Sequence, residues 1–268
     1  MTATPLDDCH TRAVREFLHG DPVGNVFPIG VFERWGLAPV HGGRWFGCMH
    51  SDGTLAAVGY AGSKDAEGRA TIAVAVGDPR ACEVVGEGIA RRGGASWVIG
   101  EAAQSDALWR GLGDPPTRIQ SSQVLMNLEA VTEGDTLTCR AADRSDLSWV
   151  LSVSHAQLKE DLGVIESRIL APDVALTGEF IGEVDGRRVF RAKLATLCSA
   201  GVQVGGVWVD PEFRNRGLGQ AGMRGLVLPL LERFPRVTLH VRTENVAAIR
   251  CYERVGFKRE RAFRVLVR

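Results

Sequence analysis

The sequence predicts an α/β protein in which two similar units lie in tandem, each a mixed, mostly antiparallel sheet flanked by helices. Short apolar runs are separated by turns typical of hairpins, which favours antiparallel pairing. Asp-Gly turns at 52–53 and 185–186 and Asp-Pro stops at 78–79 and 210–211 recur in the same order and at nearly the same spacing. Because such a recurrence indicates an internal repeat, we expect both halves to fold on the same plan.

The length and charge of the chain narrow the class of protein. With 268 residues the chain can bury the cores of two domains, which we place at 1–130 and 136–268. Its 32 basic and 32 acidic residues balance, so no overall field attracts nucleic acid or an anionic membrane. We therefore expect neither of these as a partner.

Cysteine usage and the first residues point to an ordinary intracellular protein. The six cysteines form no Cys-x-x-Cys pair and accompany no His cluster, so we expect reduced thiols, no metal and no disulfide framework. The N-terminus lacks a basic segment followed by an apolar run, and no stretch approaches the roughly 18 apolar residues that a membrane span requires. These features predict a cytoplasmic location.

The first half is expected to fold as a helix, a hairpin and a further series of strands and helices. Apolar residues at helical spacing predict a helix at 11–18. Runs of apolar residues predict strands at 44–49, 55–60, 70–76, 95–100 and 123–128. Residues 129–136 are interpreted as a linker, because they are polar and contain Gly.

The second half repeats this series after a short strand at 137–140. Ser145 is expected to cap the N-terminus of a helix. Residues 180–184 and 189–197 then predict a hairpin, and 202–209 predict the next strand.

That strand and its surroundings carry three local signals. Gly205 and Gly206 lie inside the strand and predict a bulge. Pro229 lies inside the following helix and predicts a kink or an early stop near Val227. Gly256 is expected to cap the end of the last helix.

A Gly-rich loop joins the strand at 202–209 to its helix. The loop runs through Arg214, Asn215, Arg216, Gly217, Leu218 and Gly219. Backbone N–H groups at a helix N-terminus have no intrahelical partner and carry the positive end of the dipole, while glycines let a pyrophosphate approach the backbone. The loop therefore predicts a phosphate cradle, to which the two arginines add positive charge.

At these residues the chain resembles the GNAT superfamily of acyl-CoA-dependent N-acyltransferases. Arg214, Gly217 and Gly219 match the Arg/Gln-x-x-Gly-x-Gly/Ala loop of that superfamily. The downstream match consists of a strand at 237–241 followed by Asn245, Tyr252, Gly256 and Phe257. The resemblance implies that the loop holds the pyrophosphate of coenzyme A, with acetyl-CoA as the cofactor. It also implies that the pantetheine arm lies along Val207, Trp208 and Val209, with Asn245 close to the cofactor.

The resemblance also implies N-acetyltransfer to a primary amine of a small molecule or a peptide. Tyr252 corresponds to the family's proton donor to the leaving thiolate, but the general base stays open. Many members carry a Glu on the central strand, where this chain offers only Gln203. The possible substitutes are His240, Glu244, Glu179, water, or a substrate that is already neutral. We take His240 as the first candidate; strand alternation places it on the face opposite Leu239 and Val241, so that it points either to the ligand cleft or to flanking helices.

Two further interpretations concern the acceptor and the first half. Glu160, Asp161 and Glu166 could hold a cationic acceptor, although a solvated helical face is the favoured interpretation. The first half is expected to be a degenerate copy without a phosphate loop, since Glu83 and Glu87 lie where a pyrophosphate would sit and Trp109 replaces the Tyr. A non-catalytic acyl-CoA sensor or scaffold is the alternative function, and the intact Tyr252 favours the enzyme.

Overall fold

The computed structural model describes residues 1–39, 42–65, 67–162 and 175–268, with the side chains of 161 and 162 outside the description. Its α-helices are α1 Thr11–His19, α2 Val26–Trp35, α3 Pro79–Ala90, α4 Ala102–Gly111, α5 Leu147–Leu162, α6 Leu218–Leu231 and α7 Val246–Val255. The strands of the first half are β1 Ala3–Pro5, β2 Arg44–Met49, β3 Leu55–Ala61, β4 Ala73–Gly77, β5 Trp97–Glu101 and β6 Ile119–Leu128. Those of the second half are β7 Cys139–Ala141, β8 Glu179–Val184, β9 Arg187–Cys198, β10 Gly201–Val209, β11 Val237–Arg242 and β12 Lys258–Val267.

All twelve strands belong to one continuous sheet. Its order is β1-β2-β3-β4-β5-β12-β6-β11-β10-β9-β8-β7. Neighbouring strands are antiparallel except in two pairs, β4 with β5 and β10 with β11, which are parallel. The mixed, mostly antiparallel sheet flanked by helices that the sequence predicts is therefore confirmed.

The last strand of each half pairs with the sheet of the other half. Strand β6 pairs with β11 from Leu128–Val237 to Gln123–Arg242, and β12 pairs with β5 from Glu101–Phe263 to Trp97–Val267. The two exchanged strands also pair with each other. The closing strand predicted at 123–128 is present, but it lies beside the second half, because the neighbour of a strand is decided by which edge is available.

Each parallel pair holds together at one end only. Strands β10 and β11 are paired from Val202 to Val204, opposite Val237 to Leu239, and β4 and β5 are paired at Ala73 and Val98. The bulge predicted at the two glycines is confirmed, since the register of β10 against β9 shifts between Gly205 and Trp208. Beyond these paired residues, the described residues of the two strands in each pair are not joined by ladder bonds.

Helices cover both faces of the sheet and cross the boundary between the halves. Met223, Leu226 and Ile249 of α6 and α7 pack against Leu239 and Val241 on one face of the second half. On the other face, α2 packs against β9, where an added Cβ at Gly30 would lie only 2.3 Å from the Thr196 side chain. Ser199 donates its backbone N–H to Glu33 of α2 at 2.8 Å. The first half therefore covers part of the second half's sheet.

One local prediction is wrong, and so is the early stop that was one of the two alternatives given for Pro229. Ser145 does not cap α5: it lies inside a short 3₁₀ turn that Asp143 caps, and α5 begins at Leu147. Asp143 takes this role because its carboxylate accepts hydrogen bonds from both the backbone N–H and the hydroxyl of Ser145. Pro229 does not stop its helix near Val227, since α6 continues to Leu231. Within the described residues, no helix has the length and apolar character needed to cross a membrane.

Candidate functional site

A cleft of about 530 Å³ lies between the end of β10, the N-terminus of α6 and helix α7. Nine of the residues predicted for a site line it: Val207, Trp208, Val209, Arg214, Asn215, Gly217, Gly219, Asn245 and Tyr252. Arg216 and Leu218 lie beside it without lining it. The Arg216 guanidinium is 5.4 Å from the centre of the Phe213 ring, and Leu218 packs against the core under α6 and α7.

The N-terminus of α6 forms one end of the cleft. Gly217 precedes the helix with φ +79°, and no side chain caps the first turn. Asn215 also has a positive φ, +63°, so the loop makes a sharp turn before the helix begins. Since the first N–H groups of a helix have no intrahelical partner, an uncapped first turn beside two glycines can accept an anion.

The strand backbone forms the floor of the cleft. Beyond Val204, β10 no longer pairs with β11 among the described residues, so the edge of Val207 to Val209 that faces β11 is free of ladder bonds. The Val207 carbonyl accepts a hydrogen bond from Gln157 Nε2 of α5 at 3.3 Å. Arg214 is fixed at the strand end, because its Nε donates to the Val209 carbonyl at 3.1 Å. The glycine at 206 has φ +57°, which allows the bulge that turns the strand.

Helix α7 forms the wall opposite α6. Asn245 caps it, since its Oδ1 accepts the Ala248 N–H at 3.1 Å, and Gly256 ends it with φ +116° as predicted. Tyr252 is 7% exposed, and its ring lies 5.9 Å from that of Phe257. Asn245 and Tyr252, two helical turns apart, both face the cleft. The prediction that they share one face is confirmed.

Comparison with known proteins agrees with this geometry. A family model described as the acetyltransferase (GNAT) family matches residues 141–257. The chain contains a GNAT domain. No curated protein sequence matches the chain significantly.

Solved structures extend the likeness in fold to the whole chain. A GCN5-related N-acetyltransferase from Sphaerobacter thermophilus is 14% identical, with a TM-score of 0.58 and coverage of 99% of this chain and 94% of that one. A tandem GNAT protein from the clavulanic acid biosynthesis pathway is 15% identical, with a TM-score of 0.53 and coverage of 99% and 97%. A protein from Drosophila is 11% identical, with a TM-score of 0.63 and coverage of 99% and 98%. The architecture is thus that of two GNAT folds in tandem, one of them matched by the family model.

Sequence reasoning missed several residues that line the cleft of the GNAT domain. Gln157 and Glu160 reach it from α5, and Glu160 lies 3.5 Å from Arg214. Gln157 was not predicted, because some fifty residues separate it from the loop, whereas Glu160 was considered only as a contact for a cationic acceptor. Cys251, next to Tyr252, also lines the cleft, and burial raises the pKa of its thiol to about 11. A neutral thiol is therefore expected there at physiological pH.

His240 lies apart from Tyr252, in a separate cavity of about 180 Å³ that we call the junction cavity. Its ring stacks on Phe263 with the centres 4.3 Å apart. Its Nε2 is buried and has no hydrogen-bond partner in the described part of the chain. Burial lowers the pKa of His240 to about 4, so the imidazole is neutral at pH 7. Gln203 and Thr238 line the same cavity.

The other candidate bases are differently placed. Glu179 is buried and accepts two hydrogen bonds from Arg191 at 2.8 Å each, with Lys193 Nζ at 3.4 Å. These three residues line a third cleft, of about 700 Å³, between α5 and residues 65–72 of the first half. Glu244 is exposed and lines none of these three spaces. Asp161 and Glu166 lie outside the described side chains.

The corresponding region of the first half is closed. Asp78 caps α3, because its carboxylate accepts the N–H groups of Arg80 at 2.9 Å and Ala81 at 3.1 Å. Glu83 and Glu87, predicted to oppose a pyrophosphate, lie on α3 and pair with arginines on the same surface. A carboxylate of the protein thus already occupies the anion position at this helix.

Proposed function

We propose that the chain is an acetyl-CoA-dependent N-acetyltransferase that acts on a primary amine of a small molecule or a peptide. The observation that carries the proposal is the cleft in which an uncapped, glycine-rich helix N-terminus, a free strand edge and Tyr252 face one another. Added Cβ atoms at Gly217 and Gly219 would occupy this cradle, so the residues fit a pyrophosphate. Balanced charge still predicts neither nucleic acid nor membrane as a partner, and a cytoplasmic location stays a prediction.

Different residues would hold different parts of the cofactor. The amides around Gly217 and Gly219, with Arg214 and Arg216 beside them, would bind the pyrophosphate. The free edge of Val207, Trp208 and Val209 would pair with the amides of the pantetheine arm as an added strand does. When bound, acetyl-CoA supplies a thioester whose carbonyl carbon is open to attack by an amine.

Tyr252 would act as the general acid. Its hydroxyl would supply the proton that the thiolate of coenzyme A needs when an amine displaces it from the thioester. Proton donation at this point prevents the thiolate from leaving as an unstabilised anion. Glu179 is held by Arg191 and Lys193 and lines a different cleft from Tyr252, so it is not placed to act on an amine beside Tyr252.

His240 would be the general base, the group that accepts the proton of the amine. Its neutral imidazole can accept a hydrogen bond from an amine N–H, and strand alternation places it on the face opposite α6 and α7. The test is His240→Phe, which keeps the ring and removes both nitrogens. If His240 receives the proton, the slope of kcat/KM against pH on its acidic side changes; an unchanged pH profile and rate would leave water or a neutral substrate as the base.

The central experiment is release of the coenzyme A thiol from acetyl-CoA in the presence of a panel of amines and peptides. Turnover with any acceptor supports the enzyme. Tight coenzyme A binding without turnover over the whole panel would instead support the sensor. Calorimetry with coenzyme A in the same preparations should give one site per chain, because Asp78 occupies the anion position of the first half. Two sites per chain would contradict the division into a binding copy at 136–268 and a degenerate copy at 1–130.

A further inference from the structure

The junction cavity is built by both halves of the chain. From the first half it is lined by residues 24–28, which lead into and begin α2, and by Val74, Val76 and Ile99. Gln203, Thr238 and His240 line it from the second. Its volume of about 180 Å³ exceeds the roughly 150 Å³ of an apolar cavity that holds benzene. It therefore has room for a small organic molecule.

The junction cavity lies on the side of the sheet opposite the cleft that Tyr252 lines, beside the point where β10 and β11 stop pairing. Leu239 is the last residue of β11 that pairs with β10, and His240 follows it directly. Leu239 and Val241 pack under α6 and α7, so His240 lies on the other face. A molecule that contacts His240 in the cavity is thus next to the end of the β10–β11 pairing, beyond which β10 continues through Val207 to Val209.

The charged groups of the junction cavity are acidic. Among the described residues that line it, the charged side chains are those of Asp21 and Glu101. Both contact Arg261, whose Nη1 lies 2.5 Å from Asp21 and 3.3 Å from Glu101. One guanidinium beside two carboxylates leaves one negative charge uncompensated, so the entrance attracts a cation and repels a carboxylate.

The interior of the junction cavity is apolar apart from a few hydrogen-bonding groups. Val74, Val76, Ile99, Leu125 and Phe263 supply most of its wall. The buried Nε2 of His240 has no partner among the described residues, whereas buried polar atoms in folded proteins are normally hydrogen-bonded. An apolar body with one N–H group would satisfy both features.

We propose that the junction cavity binds the acceptor of the transferase, and that this acceptor is a small primary amine with an apolar body and no carboxylate. This inference rests on the proposed function and narrows it. The acidic entrance draws in the ammonium form, the apolar wall holds the body, and His240 accepts a hydrogen bond from the amine. Free amino acids are disfavoured, because the excess negative charge of Asp21 and Glu101 repels a carboxylate and the described lining offers it no further cation.

Matched ligand pairs test the predicted class. Benzylamine and phenylglycine share one body, as do 3-methylbutylamine and leucine, and each pair differs by a single carboxylate. We expect kcat/KM for the simple amines to exceed that for their carboxylated partners at least about tenfold, the scale on which an unpaired buried charge discriminates. Equal or better turnover of phenylglycine and leucine would overturn the inference.

Variants of the cavity wall provide the second test. Ile99→Trp fills the junction cavity from the first half and should abolish stabilisation of the protein by benzylamine in thermal unfolding, while coenzyme A affinity by calorimetry is unchanged. Leu228→Trp adds the same bulk at an exposed position of α6 and should leave both unchanged. Glu101→Gln should weaken benzylamine binding, whereas Glu83→Gln, a carboxylate paired with Arg110 on the first half's helical surface, should not.

These measurements separate the two proposals. Amine binding to the protein without cofactor depends on the junction cavity alone, and coenzyme A binding depends on the cleft alone. A wild-type protein that does not bind coenzyme A would count against the transferase, whether or not it binds amines. Benzylamine binding that survives Ile99→Trp in a folded protein would count against the cavity and leave the transferase standing.

Discussion

The two halves use the same strand–turn–helix element, but one closes the space that the other keeps open. In the first half, α3 and α4 touch backbone to backbone: an added Cβ at Gly86 would lie 2.4 Å from the Leu108 carbonyl, and one at Gly111 would lie 1.9 Å from that of Glu83. In the second half, the start of α6 and helix α7 leave a cleft between them, the proposed cofactor cleft. Glycine thus serves close helix packing in one half and an approachable helix end in the other.

The first turn of the equivalent helices differs in the same sense. Asp78 caps α3 with its own carboxylate, whereas Gly217 precedes α6 and offers no side chain. Trp109, in place of the tyrosine, is buried and donates its Nε1–H to the Pro115 carbonyl at 3.2 Å. If coenzyme A binds at the N-terminus of α6 as proposed, one cap and one helix contact are enough to close the equivalent position in the first half.

The largest expected effect comes from filling the open cradle. Gly217→Ala together with Gly219→Val should abolish coenzyme A binding, since Gly217 has φ +79° and the added side chains occupy the anion position. The matched control is Gly186→Ala, at a glycine with φ +75° and open surroundings in the β8–β9 turn. Calorimetry of both folded variants decides the matter; wild-type affinity in the double variant would place the cradle elsewhere.

Removal of one hydroxyl group tests the catalytic half of the comparison. Tyr252→Phe should lower kcat roughly 10² to 10⁴-fold, the contribution of a positioned general acid, with coenzyme A affinity nearly unchanged. The chain has one other tyrosine, Tyr60 in the first half, which packs on Trp45 with ring centres 5.1 Å apart. Tyr60→Phe should leave kcat unchanged. An unaffected kcat for Tyr252→Phe, under conditions where chemistry limits the rate, would make this hydroxyl structural.

The stability of the protein should depend on the close contact between α3 and α4 in the first half. Gly111→Ala forces α3 and α4 apart and should destabilise the protein by about 1–3 kcal/mol or more. Ala103→Ser, at an exposed position on α4, should change stability by less than about 0.5 kcal/mol. Urea unfolding measures both free energies. Coenzyme A affinity of folded Gly111→Ala should match wild type, and a weakened affinity would show that the closed half contributes to the site.

The smallest effect distinguishes two helix caps. Asn245→Ala and Asp78→Ala each remove a cap and should each cost about 0.5–2 kcal/mol of stability. Asn245 also lines the cofactor cleft, so its removal should raise KM for acetyl-CoA more than it lowers kcat. Asp78→Ala should leave both kinetic constants unchanged. If the two variants have the same kinetics, Asn245 acts as a cap alone.

Local elements of the second half were predictable from the sequence because their causes lie within a few residues. Two glycines and an Asp-Pro stop mark where β10 bends and ends, and Asn245 and Gly256 mark the bounds of α7. The spacing of Asn245 and Tyr252 is enough to place them on one helix face. The nine predicted residues in the cleft were assigned from the resemblance to the GNAT superfamily, and all nine line one cleft. The prediction for Ser145 was wrong because Asp143, two residues earlier, caps the 3₁₀ turn that precedes α5.

Long-range placement was decided only by the tertiary structure. The pattern of apolar residues in β6 and β12 indicates buried strands but does not say which strand lies beside them, and each pairs with the sheet of the other half. The salt bridges of Glu179 with Arg191 and Lys193 depend on the register of the β8–β9 hairpin, and the position of His240 beside the first half depends on residues distant in sequence. The sequence by itself therefore determined the glycine-rich loop, its strand and its helix, whereas the shared cavity required two halves whose contacts no local pattern encodes.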